Sequence, residues 1–209
     1  MSHHTIRAVL FDFGGVLAEE GFRDGLQALA REQGLDPEQL PRTAMQAVYD
    51  SGFVLGRGTA AQFWALLRQR SGLVGDDAAL TARIQAGFVP RPAMLALVER
   101  LRAAGYVTAI LSDQTHWLDE LDERHHFMRA FDHVYNSYHL GKGKRDPSLF
   151  ADVAAGLALP PVALLFIDDD AGNVERARQA GYQALLFTDQ HSCISELQRL
   201  LDGGFTASP

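Results

Sequence analysis

The sequence predicts a doubly wound α/β fold interrupted by a helical insertion, on three observations. Four apolar runs, IRAVLFD (6–12), YVTAILS (106–112), VALLFIDD (162–169) and YQALLFTD (182–189), have strand length, and each ends in polar residues at its C-terminal edge. The segments ahead of the last three, PAMLALVERLRAAG, DPSLFADVAAGL and AGNVERARQAG, repeat their apolar residues at helical period. The stretch from 19 to 90 breaks this alternation, because it holds no comparable strand-like run. Strands alternating with helices imply a parallel sheet covered on both faces.

Taken in order, the first run delivers Asp12 to a turn opened by Gly14 and Gly15. Residues 19–90 then carry helical patterns such as FRDGLQALAREQG and TAAQFWALLRQRSG, with Gly52, Gly56, Gly58, Gly72 and Gly75 supplying turns. Within them Phe63, Trp64 and Leu67 fall at the spacing of a helix's buried stripe. Pro90 and Pro92 mark the return to the core, so the division is 1–18 and 91–209 for the core and 19–90 for the insertion. HVYN at 133–136 is a further, weaker strand, and the final DGGFTASP is expected to fray.

With 47% hydrophobic residues among 209, the chain can bury a full core. A net charge of -7 argues against a nucleic-acid or anionic-membrane surface, both of which require clustered Lys and Arg. No apolar run reaches the roughly 18 residues that a membrane span needs. Cys193 is the sole cysteine, so neither an internal disulfide nor a CxxC pair exists, which fits a reducing cytoplasm. His3 and His4 at the terminus are assigned no role. The remaining histidines (116, 125, 126, 133, 139, 191) lack metal-site spacing and are expected at the surface or as caps.

In an open parallel sheet, ligands bind beyond the carboxyl ends of the strands, near the point where strand order reverses. Asp12, then Ser112 and Asp113, then Asp168, Asp169 and Asp170 each close a predicted strand and would meet at that edge. Clustered carboxylates invite a hard divalent cation, which offsets their repulsion. Lys144, just ahead of a helix in LGKGKRDPSLF, could bring an ammonium to the same edge. A lysine in such a loop is ordinarily solvated, and a lone Asp or Ser at a strand end is ordinarily a cap; their order and shared edge raise them above that.

The strings FDFGGVL, the serine after AIL, the lysine of LGKGKRDP and FIDDDAGNVERA resemble, in that order, the four motifs of the haloacid dehalogenase superfamily. The resemblance covers 5–18 and 91–190 and implies a Rossmann-like core, with 19–90 similar to the small helical cap of subfamily I. It further implies a magnesium-dependent phosphatase acting on a small phosphorylated metabolite, a sugar phosphate among the choices, through an aspartyl-phosphate on Asp12. Ser112, Lys144, Asp113 and the backbone N–H groups at Gly14 and Gly15 would then hold phosphoryl oxygens. Asp12, Asp169 and the carbonyl of Gly14 would hold Mg2+, supported by Asp168 and Asn173. Asp170 would cap the next helix. Arg57, in the LGRGT turn, is the candidate in the cap for substrate contact, although an arginine between two glycines is ordinarily solvated.

Three positions depart from the family's pattern. Gly14 stands where phosphatases of the family carry a second aspartate, which removes acid–base help worth about 10² to 10⁴ in rate. Asp113 replaces a common asparagine, and its side chain could turn away from the phosphate. Arg145 replaces a common proline and is expected to loosen the turn rather than to add positive potential. The alternatives are a haloacid dehalogenase, which also lacks the second acid but needs no metal and is uncharged where Asp168 and Asp169 stand, and a catalytically weak binding protein.

Overall fold

A computed structural model describes residues 6–201. His3, His4 and the DGGFTASP tail lie outside the described residues. In chain order the elements are β1 (Ala8–Phe11), α1 (Gly21–Gln33), α2 (Gln39–Asp50), α3 (Ala60–Ser71), α4 (Asp77–Gln85), α5 (Pro92–Ala103), β2 (Val107–Ser112) and α6 (Trp117–His125). There follow β3 (His133–Asn136), α7 (Ser137–Leu140), α8 (Ser148–Gly156), β4 (Leu164–Asp168), α9 (Ala171–Gln179), β5 (Gln183–Leu186) and α10 (Gln190–Leu200). None of the helices is long and apolar enough to cross a membrane.

The five strands form one parallel sheet in the order β3-β2-β1-β4-β5, with Leu10 opposite Ala109 on one side and Phe166 on the other. Successive side chains of a strand point to opposite faces. Val9 and Phe11 therefore join a cluster with Met94, Leu97 and Leu101 of α5, while Ala8 and Leu10 join another with Phe150 and Val153 of α8. Burial on both faces is why the central strands read as unbroken apolar runs. The weak HVYN segment is an edge strand whose first two residues are exposed.

Residues 19–90 are helical throughout their regular elements, and the two passages into and out of them pair: Glu19 N–H donates to Val89 O (2.9 Å) and Arg91 N–H to Leu17 O (2.8 Å). The helices end where the sequence allows. Thr59 and Gln62 form a capping box on α3, and Gly72 closes it in the left-handed conformation at φ 74°. Phe63, Trp64 and Leu67 are fully buried, as their spacing requires. Their cluster is continuous with the sheet: Phe53 stacks on Phe63 (6.0 Å) and meets Trp117 of α6 edge-on (5.6 Å). The histidine expectation holds, since every histidine from 125 onward is exposed; His116 is half-buried, between Phe53 and Tyr138.

Trp64 is the largest side chain in that shared core, and its indole N–H donates to Thr81 Oγ1 (2.9 Å). Trp64→Ala is expected to lower stability by about 3–5 kcal/mol through cavity formation, measured as a shift in the urea midpoint at unchanged m-value.

Candidate active site

Strand order reverses between β1 and β4, and Asp12 sits in the crevice there, one residue beyond β1. Its backbone N–H extends the ladder to Ile167 O (2.9 Å). Asp12 Oδ1 accepts Phe13 N–H (2.7 Å) and the Ser112 hydroxyl (2.6 Å). Asp12 Oδ2 meets Lys144 Nζ at 2.9 Å, and the same ammonium donates to Asp168 Oδ2 at 2.7 Å. Lys144 is only 1% exposed and Asp168 not at all. Lys144, in a loop that ordinarily leaves a lysine solvated, is therefore a buried bridge between two carboxylates.

Burial pushes the Asp12 carboxyl up from the ordinary carboxylate range, the Lys144 ammonium pulls it back down, and Asp168 adds to the rise. For Lys144, burial acts to lower the pKa, but the charges of Asp12, Asp168 and Asp113 prevail and hold it above the ordinary lysine value. Asp168 is further satisfied by Asp170 N–H (2.8 Å) and by the amide of Asn173, 3.1 Å from each oxygen. Asp169 is raised by burial and by Asp168. Ligand oxygens of Asp12, Asp168 and Asp169 all lie within 4.8 Å of one another. A Cβ on Gly15 would stand 2.3 Å from Asp169 Oδ2, and Gly15 has φ +80°, so the position admits only glycine.

A cavity of about 580 Å³ opens above these groups, lined on the insertion side by Glu20, Phe22, Met45 and Tyr49. Asp113 lines it too, but its carboxylate accepts Lys144 N–H (2.9 and 3.1 Å) and the Tyr49 hydroxyl. In this structure the Asp113 side chain is thus taken up by the protein itself. The Arg145 guanidinium lies 3.8 Å over the Tyr49 ring and lines the cavity. Arg57, the cap candidate for substrate contact, is placed differently. It is absent from the lining and donates to Gly141 O at 2.8 Å, tying the insertion to the core. Asp170 caps α9, accepting Asn173 N–H at 2.8 Å.

Among the cavity-lining residues that the sequence does not single out are Tyr49 and Glu20. Tyr49 had no signal, being one aromatic on an amphipathic helix. Glu20 caps α1 by accepting Arg23 N–H (2.9 Å), and burial raises its carboxyl to about 7, Arg23 N–H opposing and Asp169 assisting. An acid at a helix start is a visible cap signal, but spacing does not show that it faces Gly14.

An open parallel sheet with acids and a buried lysine at its switch point is a site built for charged ligands, and the comparisons assign its class. The model of the haloacid dehalogenase-like hydrolases matches residues 6–181. The chain belongs to that family. Rat (Rattus norvegicus) bifunctional epoxide hydrolase 2 is 26% identical over 98% of this chain and 40% of its own length, so the chain spans less than half of that relative. Among solved structures, the HAD family enzyme bt-2542 of Bacteroides thetaiotaomicron has a TM-score of 0.70 at 22% identity, covering 92% of this chain and 99% of that one. L-2-haloacid dehalogenase of Xanthobacter autotrophicus, with chloropropionic acid covalently bound, has a TM-score of 0.65 at 21% identity, covering 97% and 85%. At such identities the structures speak for the fold.

Lys144→Met leaves two buried carboxylates facing each other without a cation, and is expected to cost about 3–5 kcal/mol in urea unfolding. Adding Asp12→Asn removes one of those charges, so the double variant should lose less than the sum of the single losses.

Proposed function

We propose that the chain is a magnesium-dependent phosphatase acting on a small phosphorylated metabolite through an aspartyl-phosphate on Asp12, with residues 19–90 as a cap over a core of 1–18 and 91–209. The observation that carries this reading is the acid cluster itself. The carboxylate oxygens of Asp12, Asp168 and Asp169 lie within 4.8 Å of one another, and in this reading Asp12 and Asp169, with the carbonyl of Gly14, take the hard cation while Asp168 stays engaged by Lys144, Asp170 N–H and Asn173. A partial oxygen set of this kind suits magnesium, which keeps several waters. A complex of bt-2542 with magnesium and inorganic phosphate, similar to this chain at a TM-score of 0.65, supports the choice.

In this reading the Asp12 carboxylate attacks phosphorus, and water then hydrolyses the aspartyl-phosphate. The Ser112 hydroxyl, 2.6 Å from Asp12, is placed to hold a phosphoryl oxygen, together with the N–H groups of Gly14 and Gly15. Lys144 favours the ionised form of Asp12 against the effect of burial and neutralises charge on the phosphoryl group in transit. Magnesium, when bound, would supply a second positive charge to the same oxygens. The cavity mixes apolar Phe22 and Met45 from the cap side with Arg145 from the core, a lining suited to a small polar metabolite.

A dehalogenase is the second reading, favoured by Gly14 and by the Xanthobacter structure. A carboxylate substrate would meet Asp168 and Asp169 without a neutralising metal, which disfavours it. Turnover of p-nitrophenyl phosphate is expected with magnesium, to be lost on chelation with EDTA and restored by magnesium, and to fall about 10⁴-fold or more in Asp12→Asn. Halide release from 2-chloropropionate without metal, or no turnover on a panel of phosphate esters together with no beryllofluoride binding, overturns the proposal.

A further inference from the structure

We infer that Glu20, at the start of α1, carries the protons of the reaction, protonating the departing ester oxygen and then deprotonating the attacking water. The inference rests on the phosphatase reading. Breaking the bond to an alkyl oxygen creates a strongly basic alkoxide, so a proton donor must stand on the open side of Asp12. Most acids around the cavity are already committed. Asp12 attacks, Asp169 belongs to the cation set, Asp113 is held by Lys144 N–H and Tyr49, and Asp170 caps α9. Lys144 is fixed between Asp12 and Asp168.

Glu20 is placed differently. Its Oε1 is fixed by Arg23 N–H at 2.9 Å, which orients the carboxyl, while Oε2 accepts no hydrogen bond from the described residues. Oε2 lies 3.2 Å from where a Cβ on Gly14 would stand, two residues past the nucleophile, and the residue lines the same cavity as Asp12. The same Cβ would approach the Phe88 ring to 3.1 Å. Gly14 has no positive φ to require glycine, so its missing side chain serves to leave room for the Phe88 ring and the Glu20 carboxyl. The group is thus delivered from the inserted helices rather than from the loop after β1.

As Asp12 bonds to phosphorus and the ester P–O bond breaks, Glu20 gives its proton to the departing oxygen and the alcohol leaves. The Glu20 carboxylate then takes a proton from water as that water's oxygen attacks the phosphorus. The bond to Asp12 breaks, phosphate forms, and both carboxyl groups return to their starting states.

The test uses Glu20→Gln, which keeps an oxygen for Arg23 N–H, and two esters of different leaving ability. On glycerol 2-phosphate kcat is expected to fall about 10² to 10⁴-fold. On p-nitrophenyl phosphate, whose phenolate departs without a proton, the first turnover should stay near the wild-type rate. Steady state should then slow while a hydroxylamine-labile phosphoenzyme accumulates. Magnesium-dependent beryllofluoride binding, which requires Asp12 but no proton transfer, should be unchanged. Wild-type kcat on both esters, equal loss of first and later turnovers on both, or loss of beryllofluoride binding each overturns the role. A wild-type protein that hydrolyses no ester of a panel and binds no beryllofluoride overturns the phosphatase reading and this role with it. A wild type that turns over beside an equally active Glu20→Gln overturns the role alone.

Discussion

The site depends on one buried cation: Lys144 Nζ held between Asp12 and Asp168 at 2.9 and 2.7 Å. Removing these charges from water costs several kcal/mol per ion, and their attraction offsets that only when the remaining lone pairs are also satisfied. They are. Ser112 and Phe13 N–H serve Asp12, and Asn173 and Asp170 N–H serve Asp168. An apolar trio of similar volume would be at least as stable. Stability therefore does not explain the cluster, whereas the nucleophilic role proposed for Asp12 does, since Lys144 favours its ionised form against the effect of burial.

The lysine comes from a loop, and what fixes that loop extends the interaction outward. Asp113, just past β2, accepts Lys144 N–H, and the same carboxylate accepts the Tyr49 hydroxyl from α2. Arg145 closes the arrangement from the other side by stacking on Tyr49. Lys144, the neighbouring strand and the inserted helices are thereby bound into one polar chain. Beneath it runs one apolar cluster, from Phe11 and Ile110 in the sheet through Trp117 to Phe53, Phe63 and Trp64. Two independent sets of contacts therefore hold the insertion over the end of β1.

The sheet was legible because a parallel strand covered on both faces is largely apolar, as AVLF, VTAILS and LLFID are apart from Thr108 and the polar residues at their ends. HVYN signalled weakly because an edge strand keeps polar residues where it meets solvent. Among the helices, α6 was hidden by charge, since WLDELDERH buries only Trp117, Leu118 and Leu121. Asp12, Ser112, Asp168 and Asp169 were legible as acids and hydroxyls at strand ends, where topology alone assembles them. Side-chain direction was not. Arg57 and Arg145 lie in similar polar turns, yet one reaches a core carbonyl and the other the cavity, because Tyr49 offers a ring to Arg145.

The paired glycines after β1 show the same limit at closer range. Read as a string, GG signals a tight turn that lets backbone approach a phosphate. In the fold the two meet unlike requirements. Gly15 is demanded by its own backbone, at φ +80°, and by Asp169, whose carboxylate would collide with any Cβ. Gly14 has ordinary backbone angles, and only its neighbours, Phe88 and Glu20 from the inserted segment, exclude a side chain. A glycine in place of an acid thus need not mean a lost function. With a carboxyl from another element occupying the vacated space, the chemistry at that point depends on the docking of α1 rather than on the loop that carries the nucleophile.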